Sequence, residues 1–168
     1  MKRKFSWLLA VIFTITMIGQ IVLAFIFYKD AKYEIVQNIG WAFMVVSAVF
    51  GWLPMFTFRK RGAVSKGKSY MMTTKLVDQG LYSIVRHPQY LAGHLLAISL
   101  YLITQNWASL LLGLLNMVQC YLSAIEEESD SKEKFGTAYD DYMQRVPRFN
   151  FILGITRKLT SARQNTKY

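Results

Sequence analysis

Charged residues are absent from three long stretches of the chain, and their spacing dictates the elements. Phe5 to Tyr28 and Ile35 to Phe58 are each 24 positions without Asp, Glu, Lys or Arg. Either is long enough to cross a bilayer, which takes about 20 apolar residues. A third uncharged run, His87 to Ile125, covers 39 positions. As one straight helix it would be roughly 58 Å long at about 1.5 Å per residue, well beyond a hydrocarbon layer of about 30 Å. It is therefore expected to fold back at Thr104-Gln105-Asn106, giving helices over Pro88 to Thr104 and Trp107 to Ile125. The predicted fold is all-α, a single membrane domain over 1–168 with about four spans in two hairpins. Residues 1–58 supply the first two spans, and 150–168 form a basic tail.

Past the last span the pattern turns amphipathic. Phe135, Tyr139, Tyr142 and Val146 recur at steps of 4, 3 and 4, as on one face of a helix. That helix is expected to lie in the membrane interface or to fold against the cytoplasmic helix ends, and to stop at Pro147. Phe149, Phe151, Ile152 and Leu153 add an apolar patch too short to cross, and Thr160 to Tyr168 read as a frayed polar end.

Composition agrees with a membrane chain. Of the 168 residues 53% are hydrophobic, 15% are aromatic and only 18% charged, with a mean hydropathy of +0.21. The aromatic share excludes intrinsic disorder. One cysteine, Cys120, excludes a disulfide framework and a cysteine zinc site. A formal net charge of +10 invites a nucleic-acid reading, but the basic residues lie at helix ends. Eighteen of the 20 fall on one side of the four-span arrangement, in the first four residues, in Arg59 to Arg86 and after Ile125. The positive-inside rule makes that side cytoplasmic, with both termini on it, so topology explains the charge without nucleic acid. The first run follows Lys2-Arg3-Lys4 like a secretory signal, yet it is too long for one and lacks an A-x-A cleavage site, and it reads as an anchor.

Several polar residues are out of place in such a chain. Gly113, Asn116, Cys120, Ser123 and Glu127 share one face of the fourth span. Helix packing accounts for Gly113 and Asn116 as well as function does. Glu127 belongs to Glu126-Glu127-Glu128, three acids at a membrane surface whose anionic lipids disfavour them, so at least one is expected to face inward. In the third span Tyr90, His94, Ala97 and Tyr101 share a face; for His94 an ordinary interhelical hydrogen bond is the simpler role. A metal shared by His87 and His94 is not expected, since seven helical residues separate them by about 10 Å. Gly62 to Ser69 satisfies the phosphate-loop expression G-x-x-x-x-G-K-[ST], but a membrane span precedes it and no α/β sheet has room to form. A basic loop against anionic lipid is the alternative. No G-x-G-x-x-G supports a Rossmann site.

Gly80-Leu81-Tyr82, Arg86-His87-Pro88-Gln89-Tyr90 with Gly93, a helical hairpin, Glu127-Glu128, Phe135-Gly136, Tyr139, Tyr142 and Val146-Pro147-Arg148-Phe149 follow in order. This resembles the C-terminal signature of the isoprenylcysteine carboxyl methyltransferase and phospholipid methyltransferase superfamily of integral membrane enzymes, over about Thr74 to Phe149. The resemblance implies S-adenosylmethionine as methyl donor, in a cytoplasm-facing pocket. It implies cofactor contacts at Lys75, Leu76, Val77, Tyr82, His87, Pro88, Gln89, Tyr90 and Glu127, with Arg86, His87 and Glu127 as the chemical core. Ser123, Asn116 and His94 are the expected acceptor-side residues. Ser123 stands where prenylcysteine enzymes carry an arginine implicated in the acceptor, which points away from a carboxylate-bearing prenylcysteine, and Ser131 replaces a usual leucine. The chemistry is coherent on its own terms. A sulfonium, an ammonium and a carboxylate need aromatic faces, an acid and a base, which Tyr82 and Tyr90, Glu127, and Arg86 or His87 provide. Methyl transfer needs alignment and no metal. His87 is the candidate base for an amine acceptor. Two other readings stay open: a non-enzymatic four-span scaffold or partner subunit, and a lipid reductase using NADPH. The acceptor class, whether phospholipid amine, thiol or isoprenoid lipid, is open as well.

Overall fold

The computed structural model describes residues 2–62 and 74–165. These form α1 (Lys2–Phe27), α2 (Glu34–Arg61), α3 (Pro88–Thr104), α4 (Trp107–Phe135), α5 (Thr137–Arg145) and α6 (Phe151–Asn165), with short 3-10 turns at Tyr28–Asp30 and Gly80–Ser83. Among the described residues there is no strand, as the all-α expectation requires. The phosphate-loop match lies outside the described residues beyond Gly62.

Among the described residues three helices are long and apolar enough to cross a membrane: α1 counted as Trp7–Asp30, then α2 and α4. The expected third span, α3, has 17 residues and so reaches only about 26 Å. Its limits are those the sequence predicts. Pro88 opens it, where a missing N–H costs nothing. Gln105 turns the chain with φ of 50°, and the Asn106 side chain accepts the Ala108 N–H at 2.9 Å to start α4. α4 continues ten residues past its apolar part. Gly136, at φ +57°, breaks it from α5. α6 replaces the short patch and frayed end expected there: Phe151 to Asn165 is one helix.

The chain forms two compact units, each from separate stretches. The first joins Met1–Val49 to Tyr90–Glu127. Neutral polar side chains hold its helices together. Gln20 of α1 is fully buried; its amide nitrogen donates to the carbonyls of Ala97 at 2.8 Å and Ser109 at 3.1 Å, and its oxygen accepts from Asn116 at 3.1 Å. Thr16 donates to Asn116 as well. Between α2 and α3, Ser47 donates to the Ala92 carbonyl and Ser99 to the Gly40 carbonyl, both at 2.8 Å. Bonds from small side chains to backbone oxygens suit hydrocarbon, where water cannot satisfy a lone polar group. At one end Tyr33 and Gln105 exchange two bonds, the Tyr33 N–H donating at 3.0 Å and the Gln105 amide to the Tyr33 carbonyl at 2.8 Å, so the two interhelical turns are latched.

The second unit joins Phe50–Gln89 to Glu128–Tyr168. Its core is Tyr139, Tyr142 and Val146, with Leu76, Phe135 and Met143 packed against them. The periodic face read from the sequence is this core.

Candidate functional site

The second unit brings the two sequence motifs together by backbone pairing. The Arg86 N–H donates to the Pro147 carbonyl at 3.0 Å and the His87 N–H to the Arg148 carbonyl at 3.3 Å. Around this junction the Tyr142 hydroxyl donates to the Tyr82 carbonyl at 2.7 Å, and the Tyr82 ring lies 4.6 Å from that of Phe58. Burial raises the Tyr142 phenol pKa far above its usual value, so Tyr142 acts only as a neutral donor.

At the centre is Glu128. Arg148 grips it as a fork, Nε to Oε1 at 2.9 Å and Nη2 to Oε2 at 2.6 Å. His87 Nε2 lies 3.3 Å from Oε1, as does Arg86 Nη2. Glu128 lies beyond the uncharged part of α4, which ends at Ile125. Burial raises its carboxyl pKa, but the hydrogen bonds from His87 and Arg148 and the charge of Arg86 outweigh that and hold it at about 2. Facing a carboxylate, His87 Nε2 is the nitrogen that donates.

The cluster has more positive than negative charge, and Arg86 is the residue left over. Its side chain is 8% exposed, yet Nε and Nη1 are buried and find no partner among the described residues. Two unpaired guanidinium donors in a buried place are costly unless an anion meets them. The two donors face different edges of the guanidinium, on either side of the Nη2 that meets Glu128, and an anionic oxygen of a carboxylate or phosphate can satisfy either one.

Of the other residues expected from the sequence, Val77 and Pro88 are buried, Leu76 packs on the Tyr139 core, and Lys75 is exposed. Gln89 is half-buried. In the first unit the Tyr90 hydroxyl is hydrogen-bonded to Glu127, which is exposed, and Ser123 is half-buried. His94 Nδ1 lies 2.7 Å from the Tyr90 carbonyl one turn back in its own helix. Asn116 has its amide in the Gln20 and Thr16 network, which is the packing role. Among the described residues no three His, Cys, Asp or Glu side chains are grouped to hold a metal ion.

Sequence reasoning missed the central part of Glu128 and the role of Arg148. Consecutive helical positions differ by about 100°, and the period from Asn116 leads to 123 and 127, whereas the buried face of α4 passes through Cys120, Ala124 and Glu128. The available signal was electrostatic: Arg86, His87 and Arg148 all stand in the motif, and burying them requires an acid between them.

The sequence model of the phospholipid methyltransferase family matches residues 35–142. That is more than half of the chain, and the chain belongs to the phospholipid methyltransferase family. The match begins in α2, well before Thr74, where the motif-based resemblance starts; α2 carries no chemical motif, only its apolar pattern. No curated protein and no solved structure matches the chain. Family membership makes it a methyltransferase of lipid-like substrates by kinship.

Proposed function

We propose that the protein is a membrane enzyme that transfers a methyl group from S-adenosylmethionine to a hydrophobic, lipid-like acceptor at the cytoplasmic face. The observation that carries this reading is Arg86, with two buried donors unpaired beside the Glu128 cluster. The donor molecule has a carboxylate that can meet one of these donors, so the residues present suit it. When bound it supplies an electrophilic methyl group on a sulfonium. Arg86 holds the carboxylate, and Glu128 and Arg148 fix Arg86 and His87 from behind. His87, its Nε2 proton held by Glu128, takes the proton of an amine acceptor at Nδ1. Tyr82, Tyr90 and Glu127 serve the cationic part of the donor, and Lys75, Leu76, Val77, Pro88 and Gln89 complete its contacts. Ser123 and His94 belong to the acceptor side. The one-sided placement of 18 of 20 basic residues supports the cytoplasmic orientation and four crossings, with α3 the shortest.

Calorimetric titration of the detergent-purified chain with S-adenosylhomocysteine tests the reading. Heat of binding and thermal stabilisation are expected; neither at millimolar ligand would overturn it. Binding of NADPH in its place would make the chain a reductase. A methyl-labelled assay on total membrane lipid then identifies the acceptor.

A further inference from the structure

α6 is packed on one side and bare on another. Within the second unit the Phe151 ring meets that of Phe50 edge-on at 6.2 Å, in the apolar part of α2 ahead of Arg59, Lys60 and Arg61. Gly154 follows so closely that a Cβ there would stand 1.9 Å from the Ile84 carbonyl oxygen, and Lys158 donates to the Ser83 hydroxyl at 2.7 Å. Phe151 and Gly154 define the packed side, and Lys158 lies exposed at its edge, next to the bare stripe. Ile152, Ile155 and Leu159, at i, i+3 and i+7, form a second stripe that is 64%, 40% and 59% exposed. At about 100° per residue, Lys158 and Arg163 border that stripe on its two sides. The segment from Phe151 to Tyr168 has four basic residues and no acidic one.

We infer that α6 is an interfacial helix that docks on an acidic lipid surface, with Ile152, Ile155 and Leu159 in the acyl boundary and Lys158 and Arg163 among anionic headgroups. Its first turn shares the depth of Phe50 on an apolar membrane-crossing helix, which puts lipid beside the bare stripe. The basic borders complement an anionic leaflet, each charge worth roughly fivefold in partitioning. Because α6 grips Ser83 and Ile84, the lipid surface also steadies the segment leading into Arg86.

Hydrogen exchange of the full chain in nanodiscs tests this without any methyl donor, so its outcome is independent of the enzymatic reading. Residues 151–165 are expected to exchange about tenfold more slowly in discs with one-third anionic lipid than in purely zwitterionic discs. The double variant Lys158→Gln, Arg163→Gln should lose that difference while the exchange of α1 and α4 is unchanged. Equal exchange in both lipids, or a lipid effect that survives the double variant, would overturn the inference. So would protection that appears only with two chains per disc, since a second copy would then be the cover.

Discussion

The two units solve the same problem, polar groups away from water, with different chemistry. In the first, amides and hydroxyls such as Gln20, Ser47 and Ser99 make neutral bonds to backbone carbonyls of neighbouring helices. In the second, one carboxylate is shared by three basic side chains. Neutral bonds between membrane helices are individually worth about 0.6 kcal/mol and at most about 1.7. Buried ions behave otherwise, since removing one partner leaves the rest uncompensated. The first unit should therefore respond to substitution in small additive steps, and the second as a block.

The sharpest break in that contrast is Glu128→Ala, which strands Arg86, His87 and Arg148. A loss of about 3–5 kcal/mol is expected, read as a collapse in the thermal unfolding temperature. Arg86→Ala should separate binding from folding. It removes the two unpaired donors together with one of the three cations on Glu128, so stability without ligand should fall by less than for Glu128→Ala, while affinity for S-adenosylhomocysteine falls by at least about tenfold, the value of one charge-assisted hydrogen bond. Affinity that is unchanged would place the anion elsewhere.

Acid sharpens the comparison further. The Glu128 carboxyl ionises more readily folded, at about 2, than unfolded, at about 4.3. Its contribution is therefore complete above about pH 4.5 and drains away as the pH falls towards 2. Glu128→Gln should flatten that part of the stability profile, measured by denaturant unfolding across the range. The smallest effect belongs to the neutral network: Gln20→Leu should cost about 1–2 kcal/mol and leave ligand affinity alone.

The helical hairpin was legible because its signals are local. Pro88 opens α3, and Gln105 and Asn106 turn the chain. The family was legible from Arg86-His87-Pro88 and the paired acids. Less visible was anything that depends on which partner arrives from afar. Glu127 and Glu128 differ by one position and are told apart only by where the basic residues converge. Gln20 gave a sign that went unused, an amide in the middle of an apolar run, which hydrocarbon tolerates only with partners. α6 escaped because its apolar residues, scattered among threonines and cations, look like a patch until they are wound into a helix.

The pairing of Arg86 and His87 with Pro147 and Arg148 also has a temporal meaning. When the ribosome has released α4, the nascent protein already possesses Arg86, His87 and Glu128, but the guanidinium that clamps Glu128 lies beyond the end of that helix, at Arg148. Closure of the cluster thus waits for Arg148, and a chain cut short before that residue would leave Glu128 without its clamp.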